Sequence, residues 1–504
     1  MLLRRLNVYD PIEQSYRSCD VRINSNKIEA VSNQLNEKES EPWVDLAGYF
    51  AYPGLIDAHV HLVGLGKSLI EPNIGEIQSL EELECLLQQQ HSEIIVLRGF
   101  SLEHASFALD KKTLDAMIPD RPVLIVGKCG HVGFVNSQAI SFFGLDKFST
   151  MDGSNLSSGL IRERVLDYVR GFIVYTYSQL QSFLKKGSQH FKSFGITSVH
   201  TDDWTASTCN NLLPALDEQK DLRIYEHINL SPPFSINPFV QEEKYKQLYR
   251  NTSFLNISSF KFILDGSFEG RSAFLKEPYF DQVDEYGVLY YSEKELSNIL
   301  CMAEKINWTC NFHVIGDGAL KTILNALNLS IKESNPLRHR LIHLQMASNE
   351  QVRLIQQLGL YISMQPLFYP ADKEMAEKRL GKTRLESTGY PFENILQHGI
   401  HLSLSTDAPV EQVNPFYNMS IAECFMDRKK AFYGYTVAGA TAAFQENKQG
   451  RIMPGFFADM FFLKEDLFSL SRDKLAETRP DLLLFNGEWE DINHHFDNRK
   501  EEGK

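Results

Sequence analysis

The stretch Gly54-Leu55-Ile56-Asp57-Ala58-His59-Val60-His61 ends an apolar run in two histidines one residue apart. Successive side chains of a strand alternate faces, so both imidazoles point the same way, a geometry that suits two ligands to one cation. With 15 histidines among 504 residues, roughly 0.4 such pairs arise by chance, so the pair gains weight from its setting. That setting is a chain break at Tyr52-Pro53-Gly54 just before it and a glycine-loosened segment, Leu62-Val63-Gly64-Leu65-Gly66, just after.

Seven further apolar, β-branched or aromatic runs have the same strand-like character: Ile196 to His200, Arg223 to Asn229, Phe260 to Asp265, Asn311 to Ile315, Leu341 to Gln345, Tyr361 to Gln365 and His401 to Thr406. They alternate with helical patterns, the signature of parallel β/α units. The fold class is therefore α/β, a (β/α)8 TIM barrel over 51–445. The long gap after the first strand holds two more apolar runs, Ile94 to Phe100 and Pro122 to Val126, and predicts an insertion at about 62–185 in the position of a lid. Residues 1–50 and 446–490 share short alternating runs, which predicts a small β-sandwich domain formed by both chain termini, with 491–504 as a tail.

In such a barrel the C-terminal ends of the strands converge on one site. They bring together His59, His61, Lys261, His313, His343 and Asp407. Four histidines completed by a carboxylate suit Zn²⁺ or a neighbouring divalent transition metal. A lysine among cations is expelled by repulsion unless its charge is removed, which points to a modified Lys261; an ordinary strand lysine would instead pair with Asp265 on the same face.

The bulk numbers narrow the classes. Apolar content of 43% and charged content of 23% are those of a globular protein with a sizeable core. A net charge of −14, from 65 acidic and 51 basic residues, argues against general nucleic-acid or anionic-membrane binding and says little more; the expected partner is a small-molecule substrate. No apolar signal-peptide core follows Met1-Leu2-Leu3-Arg4-Arg5 and no uninterrupted run is of spanning length, so a cytoplasmic location is expected. The seven cysteines are odd in number and lack paired spacing, as reduced thiols would. A homodimer is the base-rate expectation for assembly.

Over nearly its whole length the chain resembles the amidohydrolase superfamily, and within it the YtcJ-like branch of metal-dependent hydrolases that includes N-substituted formamide deformylases. The motifs run in family order: Pro53 to His61; Arg121-Pro122-Val123; Gly130-His131 with Val135-Asn136-Ser137; Gly159-Leu160-Ile161-Arg162-Glu163; Gly195 to His200; Lys261 with Asp265-Gly266-Ser267; Pro278-Tyr279; His313 with Gly316-Asp317; His343; Gln365-Pro366; Asp407-Ala408-Pro409; and Gly455 with Ala458-Asp459. The resemblance implies one or two metal ions, with His59 and His61 on the more buried one, His313 and His343 on the other, and an N-carboxylated Lys261 bridging both. Asp407 would touch a metal and shuttle the proton. The expected reaction is hydrolysis of a C–N bond in an amide or N-substituted formamide of apolar character. The alternative on the same barrel is deamination of a heterocyclic base, which usually needs a Glu after the fifth strand; Val314-Ile315-Gly316-Asp317 stands there instead. A non-catalytic scaffold is disfavoured by the complete ligand set.

His131, Glu163, His200 and Arg271 are candidates for substrate binding, each with an ordinary alternative as cap, surface pair, core histidine or solvated loop arginine. Two departures from the family stand out. Thr406 replaces the usual Ser before Asp407, and Ile342 replaces the usual acidic residue before His343, where strand parity predicts a side chain turned away from the pocket.

Overall fold

The structure is a computed structural model that describes residues 1–71, 74–75, 77–100, 107–128, 130–149, 154–205, 208–230, 242–331 and 334–492. Most of the tail expected at 491–504, and Cys129, lie outside the described residues.

Eight parallel strands form the barrel wall: β1 (Leu55–Val60), β2 (Ile196–Trp204), β3 (Arg223–Asn229), β4 (Leu255–Ile263), β5 (Thr309–Val314), β6 (Arg340–His343), β7 (Tyr361–Met364) and β8 (Leu402–Leu404). They pair in sequence order from β1 to β8. β1 and β8 close the wall through a few bonds at their ends: Asp407 N–H to His59 O (3.0 Å), His61 N–H to Ala408 O (2.8 Å), and Thr406 N–H and Oγ1 to the Asp57 carboxylate (3.0 and 2.6 Å). Thr406 thus keeps the hydroxyl that a Ser would supply.

Several helices that feed barrel strands start from a hydroxyl residue followed three positions later by Gln or Glu. Thr176/Gln179, Ser292/Glu295 and Ser348/Gln351 each form a reciprocal capping box ahead of β2, β5 and β7, so the entry to these strands is fixed by local sequence. Behind β1, the helix Leu62–Ile70 crosses Tyr177–Lys192 so closely that a Cβ on Gly66 would lie 1.8 Å from Phe183 O. Both helices bury side chains in the barrel's main core. Between them the chain builds a separate four-stranded sheet, ordered Leu160–Arg162, Val132–Val135, Val123–Gly127, Ile95–Phe100, with apolar clusters on its two faces.

The two chain ends share one mixed sheet. Its order is Glu488–Glu490, Leu482–Phe485, Met460–Leu463, Phe50–Pro53, Leu2–Asp10, Ser15–Asn24, Lys27–Ser32, with Trp43–Asp45 also on Leu2–Asp10. It has its own core of Leu3, Leu6, Val21, Met460, Phe462 and Leu484 among others. Gly54 is the turning point from this sheet into β1, and a Cβ there would meet Thr197 Oγ1 at 2.1 Å. The Arg223–Asp459 ion pair, buried and doubly bonded at 2.5 and 2.9 Å, ties the N-terminal end of β3 to the sheet.

Candidate metal centre

The strand ends bring His59, His61, Lys261, His313, His343 and Asp407 into one cluster, as expected, and add Asp202 from β2. Nε2 of His59 and Nε2 of His61 each lie 3.2 Å from Asp407 Oδ1. His61 Nδ1 is 2.9 Å from Asp202 Oδ1, and Lys261 Nζ is 3.0 Å from Asp202 Oδ2 and 3.4 Å from His59 Nε2. His343 extends the row, its ring 5.1 Å from His59 and 4.5 Å from His313, with Nδ1 3.8 Å from Asp407 Oδ2. All are buried except His61, whose side chain is 36% exposed at the mouth of the site.

Two overlapping triads have ligand atoms within 4.8 Å of one another: His59, His61 and Asp202, and His59, His343 and Asp407. Asp407 Oδ1 and Asp202 Oδ1 are buried and lack a well-formed hydrogen bond, although ring nitrogens stand 2.9–3.2 Å away. Ligand atoms around a tetrahedral cation with bonds of about 2.0–2.1 Å lie about 3.3 Å apart. The 3.2 Å spacing of His59 and His61 about Asp407 Oδ1 therefore matches ligands converging on a shared ion, whereas His61 Nδ1 stands at an ordinary hydrogen-bond distance from Asp202; the donor set fits a divalent metal.

The electrostatics favour the ligating form at His59 and His343 but not at His61. Burial, helped by the charge of Lys261, pushes His59 down to about 4, and burial takes His343 to about 3; neutral imidazole is the form that ligates metal. His61 moves the other way, to about 10, because Asp202 and Asp407 outweigh burial. Against burial, Lys261 and His61 hold Asp202 well below the usual carboxylate range, and His59 and His61 do the same for Asp407.

The backbone is unusual where the ligands attach. His343 (φ 74°), Leu344 (φ 47°) and Asp407 (φ 60°) occupy the left-handed region, which non-glycine residues hold at a cost and which clusters at functional sites. The turn at His343 corrects the parity expectation for Ile342. Arg340 and Ile342 share the interior face of β6, in register with Asn311 and His313 of β5, and His343 reaches the pocket only because its backbone leaves the strand conformation. An apolar side chain thus stands in the wall beside His313.

Lys261 pairs with Asp202, not with Asp265. The Asp265 carboxylate accepts instead the backbone N–H groups of Phe274, Ile315 and Gly316 at 2.7–3.1 Å and so holds the loops after β4 and β5 together. His313 Nε2 lies 3.2 Å from Gly266 O. Of the four candidates for substrate binding, two reach the cluster: His131 of the inserted sheet places its ring 5.6 Å from His313, and its Nδ1 is 3.0 Å from Glu163 Oε2, while Ser272 Oγ donates to Glu163 Oε1 at 2.5 Å. His200 lies lower in the barrel against Arg340, and the Arg271 guanidinium is engaged by Asp281 at 2.9 and 3.2 Å.

Sequence reasoning missed Asp202 because β2 was expected to end at His200, whereas it runs on to Trp204. The signal was present: alternation from His200 puts Asp202 on the same interior face.

The family model described as amidohydrolase family matches residues 43–489. Among curated relatives, YtcJ of Bacillus subtilis (strain 168) is 25% identical, covering 95% of this chain and 97% of its own. The N-substituted formamide deformylase of Arthrobacter pascens is 20% identical over 86% of this chain and 87% of its own. Among solved structures, an uncharacterized metal-dependent hydrolase from Pyrococcus furiosus superimposes with a TM-score of 0.76 at 24% identity, covering 93% of this chain and 99% of that one. With a barrel of this order, a strand-end cluster built for a divalent metal and a family match over nearly the full length, the chain belongs to the amidohydrolase family.

Proposed function

We propose that the protein hydrolyses a C–N bond, in an amide or N-substituted formamide of apolar character, at a centre holding Zn²⁺. The observation that carries this reading is the convergence of His59 Nε2 and His61 Nε2 on Asp407 Oδ1 at 3.2 Å; the activity named for the formamide deformylase relative supports the bond class. A divalent ion held by His59, His61, His343 and Asp407 would supply polarisation of a carbonyl and acidification of water. Asp407, kept ionised by its histidines, accepts the proton of the attacking water and delivers it to the departing amine nitrogen. His131, held by Glu163, borders the site beside His313, in reach of the acyl side of the substrate. Asp317, the acid nearest after His313, accepts the Lys276 N–H at 3.0 Å through Oδ1, and no Glu stands after the fifth strand where a deaminase usually carries one.

Lys261 is the residue whose state this reading specifies most sharply. Its amine would add CO₂ and release a proton, and the resulting carbamate would offer an anionic oxygen donor to the metal centre in place of the ammonium charge. Lys261→Ala then loses most turnover and binds less than the full metal complement, with partial rescue by short-chain carboxylates. Near-normal turnover and metal content in that variant would leave a single-ion mechanism in its place. A panel of formamides, amides and amino-heterocycles, scored for amine against ammonia release, tests the bond class; ammonia from a heterocycle alone would replace the proposal with deamination.

A further inference from the structure

Directly beneath the ligands, the barrel interior is organised around one guanidinium. Arg340, at the start of β6, is 1% exposed. Its Nε donates to Asn311 Oδ1 (2.7 Å), Nη1 to His200 Nδ1 (2.9 Å) and Ala58 O (3.3 Å), and Nη2 to His227 Nε2 (3.0 Å). His227 Nδ1 continues to Ser259 Oγ at 2.5 Å. Among the described residues these acceptors are all uncharged.

The placement of the acceptors is systematic. Asn311 precedes His313 by two residues, His200 precedes Asp202 by two, Ser259 precedes Lys261 by two, and the Ala58 carbonyl belongs to the peptide that leads into His59. Two residues along a strand are one full pleat, about 6.6 Å, on the same face. Arg340 therefore joins the level immediately below the metal ligands on β1, β2, β5 and, through His227, β4. Arginine has donors only, so the contacts also dictate proton positions: His200 must accept at Nδ1 and carry its proton on Nε2, and His227 must accept at Nε2 and donate from Nδ1 to Ser259.

We propose that Arg340 is a positioning residue for the metal centre, its planar fork holding the strands that carry His59, Asp202, Lys261 and His313 at one depth and fixing the tautomers of His200 and His227 below them. This rests on the reading of those side chains as ligands of a divalent ion. The fork is what matters, so lysine cannot replace it: an ammonium keeps the charge but lacks the rigid plane that spans four acceptors. Supports of ligands typically contribute 10–100-fold in metal affinity.

The test is chelator competition for Zn²⁺ on the full chain, with circular dichroism to confirm the fold and selective ¹⁵N-histidine spectra of the metal-free protein to read the tautomers. Arg340→Lys is expected to bind Zn²⁺ about 10–100-fold more weakly and to lose the fixed ring-nitrogen shifts of His200 and His227. Asn311→Ala removes one spoke together with the Asn311 Nδ2 bond to Phe260 O (3.0 Å) and is expected to weaken binding less than Arg340→Lys does, so it decides the matter if the lysine variant does not fold. Wild-type affinity with unchanged tautomers in a folded variant would overturn the positioning role while leaving the metal centre intact. A wild-type chain that binds no Zn²⁺ would instead remove the proposed function on which this inference rests.

Discussion

At the corner where β1, β2 and β8 meet, His59, His61, Asp202 and Asp407 face one another directly, with two carboxylate oxygens buried and without a well-formed hydrogen bond. At the corner where β5 and β6 meet, His313 and His343 are each tied to a group outside the ligand set, Gly266 O at 3.2 Å and Gln365 Oε1 at 3.0 Å. The first corner is a set of donors whose mutual spacing makes sense around a cation. The second is a pair of imidazoles aimed by neighbours, with Asp407 as the link to the first. On the proposed two-ion reading, the β1 corner is the one expected to bind its ion more tightly, and the β6 corner is expected to complete a second site only in combination with shared residues.

Asp407 belongs to both corners, and its removal should have the largest effect. Asp407→Asn keeps the shape but gives up the proton acceptor and an anionic ligand, so kcat/KM is expected to fall about 10³-fold, measured on whichever amide the substrate panel identifies. The corners separate in metal content. His59→Ala, which strikes both triads, should retain little metal after gel filtration, whereas His313→Ala should keep at least one ion per chain by elemental analysis. Equal losses in the two variants would erase the distinction between the corners. Asp202→Asn tests the support of the tighter corner, since one carboxylate serves both His61 Nδ1 and Lys261 Nζ; a loss of about 10–100-fold in metal affinity is expected by chelator competition.

The eight strands were legible because each is a short apolar run bounded by turns, and the clustering of the candidate site residues was legible because a parallel barrel sends its strand ends to one place whatever their distance in sequence. What was not legible depends on where strands stop and where the backbone turns. One extra pleat in β2 adds Asp202 and takes Lys261 away from Asp265. A left-handed φ at His343 reverses the side on which Ile342 lies. Arg340 shows the same limit from the other direction: an arginine in an apolar strand looks like an edge or end residue, and only the assembled barrel reveals neutral acceptors from the neighbouring strands ready to receive its fork. The two chain ends were paired correctly because both carry strand patterns too short to stand alone.

The smallest expected effect, and the one that most directly probes the β6 corner, is at Gln365. Its Nε2 donates to Ser405 Oγ at 2.8 Å, and Ser405 in turn contacts Ser363 Oγ at 3.0 Å, so the amide is oriented with Oε1 toward His343. An oxygen there can only accept, which requires the His343 proton on Nδ1 and leaves Nε2 unprotonated. The ring also stacks on Phe368, within 6° of parallel at 5.9 Å, so packing already limits its rotation and the amide acts mainly on the tautomer. Gln365→Leu should therefore keep the fold and the tightly bound ion and weaken the second ion by about tenfold, the low end of what such supports contribute. If the leucine variant instead lost both ions, the corners would be one cooperative site, and the division drawn between them would have to be given up.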